Sequence, residues 1–496
     1  MAFRASGRTR PWYLWAVAAM ALLVLTSATG ASWLVLRHRD NGQSMRISGG
    51  DGFAAPWPKT APHVTPHPTG PPFITSVSPD GRYFRDQYGK PILVVGDSPW
   101  ALLTKLSPAQ AESWFANRQR QGFNAAIMSL VGAVANGGPS EDGGTFDGLS
   151  PFKDNDILQW REPYWERATA YLRMAARHGV TVMLFPLDGW TIDTSFVPRS
   201  IDQCRSYGVK VAQRFRSLPN IVWMSGGDYF PATKDLAEGS DVDHCIDAVM
   251  RGIRSTGDQR PFSMEMGFYE SISSGNPFWE KRVDWNFVYT YYPTYRAVLR
   301  AYAHQPPIPA LMGESNYEGE NNVAGSPDTT DETLRRQVLW ALTSGAAGEF
   351  FGSKDWEFHA GWEERLSTPA VTQVRRLRDL FARLSWWQLV PDTDNRLVTG
   401  GRGTRLSGDD ALDVLENDYV TAAKTPSGRL AVVYVPTRRV ITVDRAALAA
   451  GVGAQWVDPV SGARRSVPMS GSFTTPGMNS GGDTDWLLVL SARAVP

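Results

Sequence analysis

Asn220-Ile221-Val222-Trp223-Met224-Ser225-Gly226-Gly227-Asp228 and Pro309-Ala310-Leu311-Met312-Gly313-Glu314 share one pattern. Each is a short apolar run that passes into glycine and stops on a carboxylate. The two acids lie 86 residues apart, from 228 to 314, which is about three βα units of roughly 30 residues each. In a (β/α)8 barrel that separation places them on strands 4 and 7. They would then face each other across the mouth where barrel active sites form.

The flanking sequence supports the same register. Strands are expected at 92–96, 125–130, 181–187, 262–266, 285–289 and 348–352, besides the two runs above. Helical stretches fall at 107–120, 162–178, 200–216, 242–255 and 331–344, and Ser107-Pro108 supplies a cap and a first-turn proline. Tyr83-Phe84 and Pro91 bracket a lead-in hairpin around Gly89-Lys90, and a glycine-rich loop, 132–148, follows strand 2. The expected fold is α/β, a (β/α)8 TIM barrel of eight βα steps over residues 73–388. A doubly wound open sheet is the structural rival, but no Gly-rich dinucleotide turn follows strand 1. A helix at 370–387 leaves the barrel. Residues 389–496 then carry short alternating strands such as 429–435 between Gly/Pro turns, the pattern of a small C-terminal β-sandwich.

The first 39 residues read as a cytoplasmic tail and membrane anchor. Arg4, Arg8 and Arg10 precede an uncharged run from Trp12 to Leu36, which Arg37, His38 and Arg39 stop. About 25 residues suffice for a transmembrane helix with some tilt. Trp12, Tyr13, Trp15 and Trp33 sit at its ends, as interfacial aromatics do. A cleaved signal peptide is the alternative, since residues 27–32 are small; the length favours an anchor. Residues 40–72 hold seven prolines and no periodic apolar face, so they form a tether. The catalytic domain is expected outside the cytoplasm.

Composition narrows the function. Lys+Arg and Asp+Glu both number 50, so no basic excess points to nucleic acid. The 19 Trp, 16 Tyr and 21 Phe suit a carbohydrate cleft, whose rings stack on sugar C–H faces, though a large barrel also buries aromatics. There is no Cys-x-x-Cys and no His-Glu-x-x-His, so neither metal nor cofactor is expected. The two cysteines, Cys204 and Cys245, fall early in the helices after strands 3 and 4, where they either form a disulfide or stay buried thiols.

Cleaving a glycosidic bond takes one carboxyl group to protonate the leaving oxygen and a second to attack or stabilise the anomeric carbon. Asp228 and Glu314 are placed for both tasks, although a helix cap and a cross-barrel salt bridge would use the same positions. Asp97, Trp100, Asp188, Trp190, Tyr291, Tyr292 and Trp356 each follow a strand closely, where sugars can be bound and stacked, and each is equally suited to packing. Glu318 and Glu320, beyond Glu314, read as loop charges or subsite ligands.

Tyr83-Phe84, Gly89-Lys90-Pro91, Gly96-Asp97-Ser98-Pro99-Trp100 and Gln121-Gly122-Phe123-Asn124 together resemble the N-terminal signature of the apiosidase-like glycoside hydrolases. The Gly-Gly-Asp and Gly-Glu endings match that family's acid/base and nucleophile positions. Trp456-Val457-Asp458-Pro459 with Gly462 resembles the turn of the β-sandwich, labelled collagen-binding, that often follows this barrel. The resemblance covers roughly 78–490. It implies a retaining hydrolase of complex cell-wall or plant-type glycans, acting at furanose-type sugars such as apiose or arabinofuranose. Ser98 stands where Thr is common, and Ser263-Met264-Glu265-Met266 where a histidine often occurs, so the subsite lining differs. A catalytically silent glycan-binding or scaffolding protein is the second reading. A collagenase is disfavoured, because no zinc motif, Gly-x-Ser-x-Gly elbow or plausible Cys/His pair occurs.

Overall fold

The computed structural model describes residues 70–492, apart from 231–236, 268–269, 324–326 and 406–412. The expected tail, membrane span and most of the tether lie outside the described residues. Among the described residues no helix is long and apolar enough to cross a membrane.

Eight strands form the barrel wall: β1 (Val94–Asp97), β2 (Ala125–Ser129), β3 (Thr181–Phe185), β4 (Ile221–Tyr229), β5 (Phe262–Met266), β6 (Asn286–Thr290), β7 (Ala310–Glu314) and β8 (Ala346–Ser353). They pair in parallel in the order β5-β4-β3-β2-β1-β8-β7-β6. The helices that follow include α1 (Pro108–Gln121), α2 (Glu162–Arg177), α3 (Ile201–Arg214), α4 (Asp241–Ser255), α5 (Tyr295–Tyr302), α6 (Asp331–Thr343) and α7 (Pro369–Ala382). Ser107, Ser200 and Ser240 open α1, α3 and α4 with capping boxes, satisfying first-turn N–H groups that have no partner within the helix.

The barrel is nearly closed. Between β5 and β6 no ladder forms, and serine hydroxyls fill the seam. Ser263 Oγ donates to the Trp285 carbonyl at 2.6 Å. Ser273 Oγ donates to the Met264 carbonyl at 2.6 Å and accepts the Phe287 N–H at 2.8 Å. Side chains here meet backbone groups that a ladder would otherwise satisfy. This is also where the expected eight βα repeats fail. Among the described residues no helix joins β5 to β6. A short strand, Glu270–Ile272, pairs antiparallel with β6, and a 3-10 turn, Ser273–Gly275, follows it. Gly267, Gly275 and Pro277 interrupt any helical run, and the turn carries Ser273 into the seam.

Cys204 on α3 and Cys245 on α4 form a disulfide with Cα atoms 5.5 Å apart. Parallel neighbouring helices bring the two first turns together, as their sequence positions allow.

The C-terminal region packs a six-stranded sheet against a three-stranded one. Val433, Trp456 and Leu488 of the first meet Ile441, Val443 and Phe473 of the second in one core. It docks on α5 and α6. Arg335 of α6 is buried and reaches Asp485 through two nitrogens, at 2.9 and 2.8 Å, and Asp483 at 2.8 Å. Trp340 Nε1 donates to the Tyr419 carbonyl at 2.8 Å, and the Tyr295 and Tyr419 rings lie 4.8 Å apart. Trp386, after α7, stands edge-on to Tyr83 of the lead-in segment at 6.2 Å.

Two outcomes follow. Cys245→Ser should lower the unfolding free energy by about 2–4 kcal/mol, since the bond closes a loop of 41 residues; denaturant titration measures this. Deleting 391–496 should expose Trp340, Tyr295 and their apolar neighbours and cause aggregation. A monodisperse barrel fragment in size-exclusion chromatography would contradict that expectation.

Candidate active site

Both acidic strand ends are bulged. Along β4 and β5, Met264 pairs with Ser225 but Met266 pairs with Tyr229, so Gly226-Gly227-Asp228 bows out of the ladder. Along β6 and β7, Val288 pairs with Met312 and Tyr289 with Glu314, which leaves Gly313 over. Bulges are rare in parallel pairs and re-aim side chains where they occur. Glycine is required at each. A Cβ on Gly226 would lie 1.9 Å from the Glu265 carbonyl oxygen, and one on Gly313 would lie 2.3 Å from the Phe287 ring. Gly226, Gly227 and Asp228 all have positive φ, at 102°, 83° and 50°. For Asp228 that conformation costs on the order of 1–2 kcal/mol.

The bulges turn Asp228 and Glu314 into a single pocket of about 110 Å3, which also exposes Trp100, Trp190, Glu265, Tyr291, Tyr317, Glu320, Asn322 and Trp356. Tyr291 Oη donates to Glu314 Oε1 at 3.0 Å. With its one proton committed there, Tyr291 accepts from Tyr289 Oη at 2.6 Å. Trp100 Nε1 donates to Tyr317 Oη at 3.0 Å. Trp356 Nε1 and Asn322 Nδ2 hold the two oxygens of Glu320 at 2.8 and 3.2 Å. Trp190 reaches the pocket because Gly189 lies directly on the Gly226-Gly227 backbone, where a Cβ would come within 2.4 Å of the Gly227 carbonyl oxygen.

The acids are electrostatically crowded. Burial raises Asp228 from 3.8 to about 6, and its Oδ1 has no hydrogen-bond partner. Burial and then the Asp228 charge push Glu314 up to about 8, above Asp228, while the Tyr291 and Tyr317 hydroxyls pull it down. Burial, Glu314 and Asp228 push Glu265 well above the ordinary range.

Six of the nine candidate residues from the sequence meet here: Trp100, Trp190, Asp228, Tyr291, Glu314 and Trp356. The structure places the other three elsewhere. Asp97 is buried in an ion pair with Arg118 of α1 and accepts the Ser98 N–H at 2.8 Å. Asp188 accepts Ser129 Oγ at 2.7 Å and the Trp190 and Thr191 N–H groups at 3.1 and 3.0 Å, so it shapes the turn that presents Trp190. Tyr292 is buried, and its carbonyl accepts Gln337 Nε2 at 3.1 Å. Of the two loop acids, Glu320 lines the pocket, whereas Glu318 accepts Thr368 Oγ1 at 2.9 Å. Glu265, Tyr289 and Tyr317 were not among the candidates. A glutamate inside the apolar strand Phe262–Met266 was the available signal for the first.

Residues 78–388 match the apiosidase-like catalytic domain, and the chain belongs to that family. A search of curated proteins returns no match. Among solved structures, one described as a glycoside hydrolase has a TM-score of 0.71 at 20% identity, covering 86% of this chain and 98% of its own. A family 5 glycoside hydrolase from Bacteroides vulgatus has a TM-score of 0.72 at 19% identity, covering 85% and 95%. These two share the fold, which extends beyond the barrel. Family and fold together make this chain a glycoside hydrolase.

Two substitutions test the site. Gly226→Ala should lower stability by about 2 kcal/mol or more, because it meets both a backbone clash and a left-handed φ. Asp228→Asn should do the opposite. An acid whose folded pKa is raised loses stability as pH climbs from its unfolded value through about 6. The variant should therefore be more stable than wild type by about 1–3 kcal/mol at pH 7.5, and the gap should close near pH 4. Denaturant melts at the two pH values check the sign.

Proposed function

We propose that the chain hydrolyses glycosides with retention of configuration. Glu314 serves as nucleophile and Asp228 as acid/base. The observation that carries this reading is that two acids on β4 and β7 enter one pocket with different surroundings. Glu314 accepts the Tyr291 hydroxyl, a donor that favours a carboxylate, whereas Asp228 Oδ1 has no hydrogen-bond partner, as suits a group that holds a proton. Glu314 Oε attacks the anomeric carbon as Asp228 gives its proton to the departing glycosidic oxygen. In the second step the Asp228 carboxylate takes a proton from water, the water oxygen bonds to the anomeric carbon, and Glu314 leaves. Retention calls for carboxyl groups about 5–5.5 Å apart.

The substrate is a neutral sugar in a complex glycan, of the furanose type that the family resemblance suggests. Four carboxyl groups and no lysine or arginine line the pocket among the described residues, which disfavours uronates. The enzyme acts outside the cytoplasm, held by the uncharged segment 12–36 and its proline-rich tether. The Cys204–Cys245 bond supports that location, because disulfides persist in oxidising compartments.

On a panel of neutral aryl furanosides and pyranosides, Glu314→Ala should lose about 10³-fold or more in kcat with little change in thermal midpoint. Asp228→Ala should lose least on the best leaving groups, which need little protonation. Wild-type kcat/KM should fall as pH rises above about 6, where Asp228 gives up its proton. NMR of the first-formed product should show the anomer of the substrate; the opposite anomer would overturn the retaining assignment.

A further inference from the structure

Glu320 is held at the pocket from two loops. The chain after β7 runs beside the end of β8, where Tyr317 pairs with Gly352 and Glu318 with Ser353. Gly352 makes room for this, since a Cβ there would lie 2.3 Å from the Tyr317 ring. The chain then turns back. The Glu320 N–H donates to the Tyr317 carbonyl at 3.1 Å, and the Glu320 carbonyl accepts the Thr329 N–H at 2.8 Å. Asn322 Oδ1 accepts the Tyr317 N–H at 2.7 Å, which leaves its Nδ2 to donate to Glu320 Oε2 at 3.2 Å. Trp356, whose backbone N–H donates to the Ser353 carbonyl at 3.0 Å, reaches Glu320 Oε1 with its Nε1 at 2.8 Å. Each carboxyl oxygen thus has one fixed N–H donor. A carboxylate offers about four acceptor positions, so about two remain.

We propose that Glu320 selects the sugar: its carboxylate accepts hydrogen bonds from two neighbouring hydroxyl groups of the sugar bound beside Asp228 and Glu314. The assignment rests on the hydrolase reading and narrows its substrate to sugars with two adjacent free hydroxyls. Three observations carry it. Glu320 lines the same pocket as the two acids, and no lysine or arginine lines that pocket among the described residues. Other acids near the mouth are spent on structure: Asp97 pairs with Arg118, Asp355 with Arg365, and Glu318 accepts Thr368 Oγ1. Glu320 instead has both oxygens oriented by neutral N–H groups, which aim the carboxylate without cancelling its charge. Its two oxygens lie side by side, as do two adjacent hydroxyls on a sugar ring. A hydroxyl that donates to a charged acceptor gains more than one that donates to a neutral acceptor, so this contact discriminates strongly. A substrate lacking either hydroxyl leaves an aimed carboxylate oxygen unpaired in the cleft, which is how a polar site rejects an analogue.

The full chain tests this with the neutral aryl glycosides named above and their monodeoxy analogues. Wild type should discriminate against two deoxy positions, adjacent on the ring, by about tenfold or more each in kcat/KM. Glu320→Ala should lose about tenfold or more on the parent glycoside and lose nothing further on those two analogues, so that both ratios fall to about one. Ratios at the other positions should not move. Glu320→Gln, which keeps one acceptor oxygen, should fall between. A variant that is merely misfolded lowers every substrate by one factor and leaves the ratios intact. Titration calorimetry in a Glu314→Ala background reads the same ratios as affinities, without any reaction, and they should collapse on adding Glu320→Ala. Ratios that persist in Glu320→Ala would overturn the role of Glu320 and leave the hydrolase reading standing. Failure of wild type to turn over any glycoside of the panel would overturn that reading, and the role of Glu320 with it.

Discussion

The candidate active site depends on two places where a parallel ladder slips. At the ends of β4 and β7 the chain inserts residues that the neighbouring strand does not match, and glycine is the residue that permits it. Without the slip, regular alternation would decide which way Asp228 and Glu314 point. With it, both enter one pocket. The tightness is mutual: Gly226 lies against the Glu265 backbone, Gly313 under the Phe287 ring, and Gly189 on the β4 bulge itself. The strained φ of Asp228 is held by that packing, and the same packing leaves its Oδ1 buried and unpaired.

Gathering carboxyl groups in a buried mouth is unfavourable to folding, and the surroundings show how the unfavourable term is limited. The Tyr291 hydroxyl serves Glu314, and Trp356 and Asn322 serve Glu320. Positive charge is used elsewhere: Arg118 neutralises Asp97 behind the mouth, and Arg335 binds Asp483 and Asp485 at the C-terminal sheets. The pocket keeps its acidity, and the scaffold around it is paired.

Much of the barrel was legible because strands that end on acids and aromatics leave a strong local pattern. All eight strands fall within two residues of their expected places. The missing helix between β5 and β6 was not legible, because the part that replaces it is a serine hydroxyl reaching across a seam. The site divided the same way. Being just past a strand end brought Trp100, Trp190, Asp228, Tyr291, Glu314 and Trp356 to the pocket, but that position does not say where a side chain turns. Asp97 turned to Arg118, a partner 21 residues on and a helix away. Glu265 was hidden by lying within a strand, where a single acid between methionines carries no sign of its neighbours across the barrel.

The most direct measurement is covalent labelling. Incubation with a panel of mechanism-based glycosidase inactivators, followed by proteolysis and mass spectrometry, reads which carboxylate attacks the anomeric carbon. The account predicts that the adduct sits on the peptide containing Glu314, and that prior occupancy of the pocket by substrate prevents it. An adduct on Glu320, Glu265 or Asp228 in place of Glu314 would contradict it.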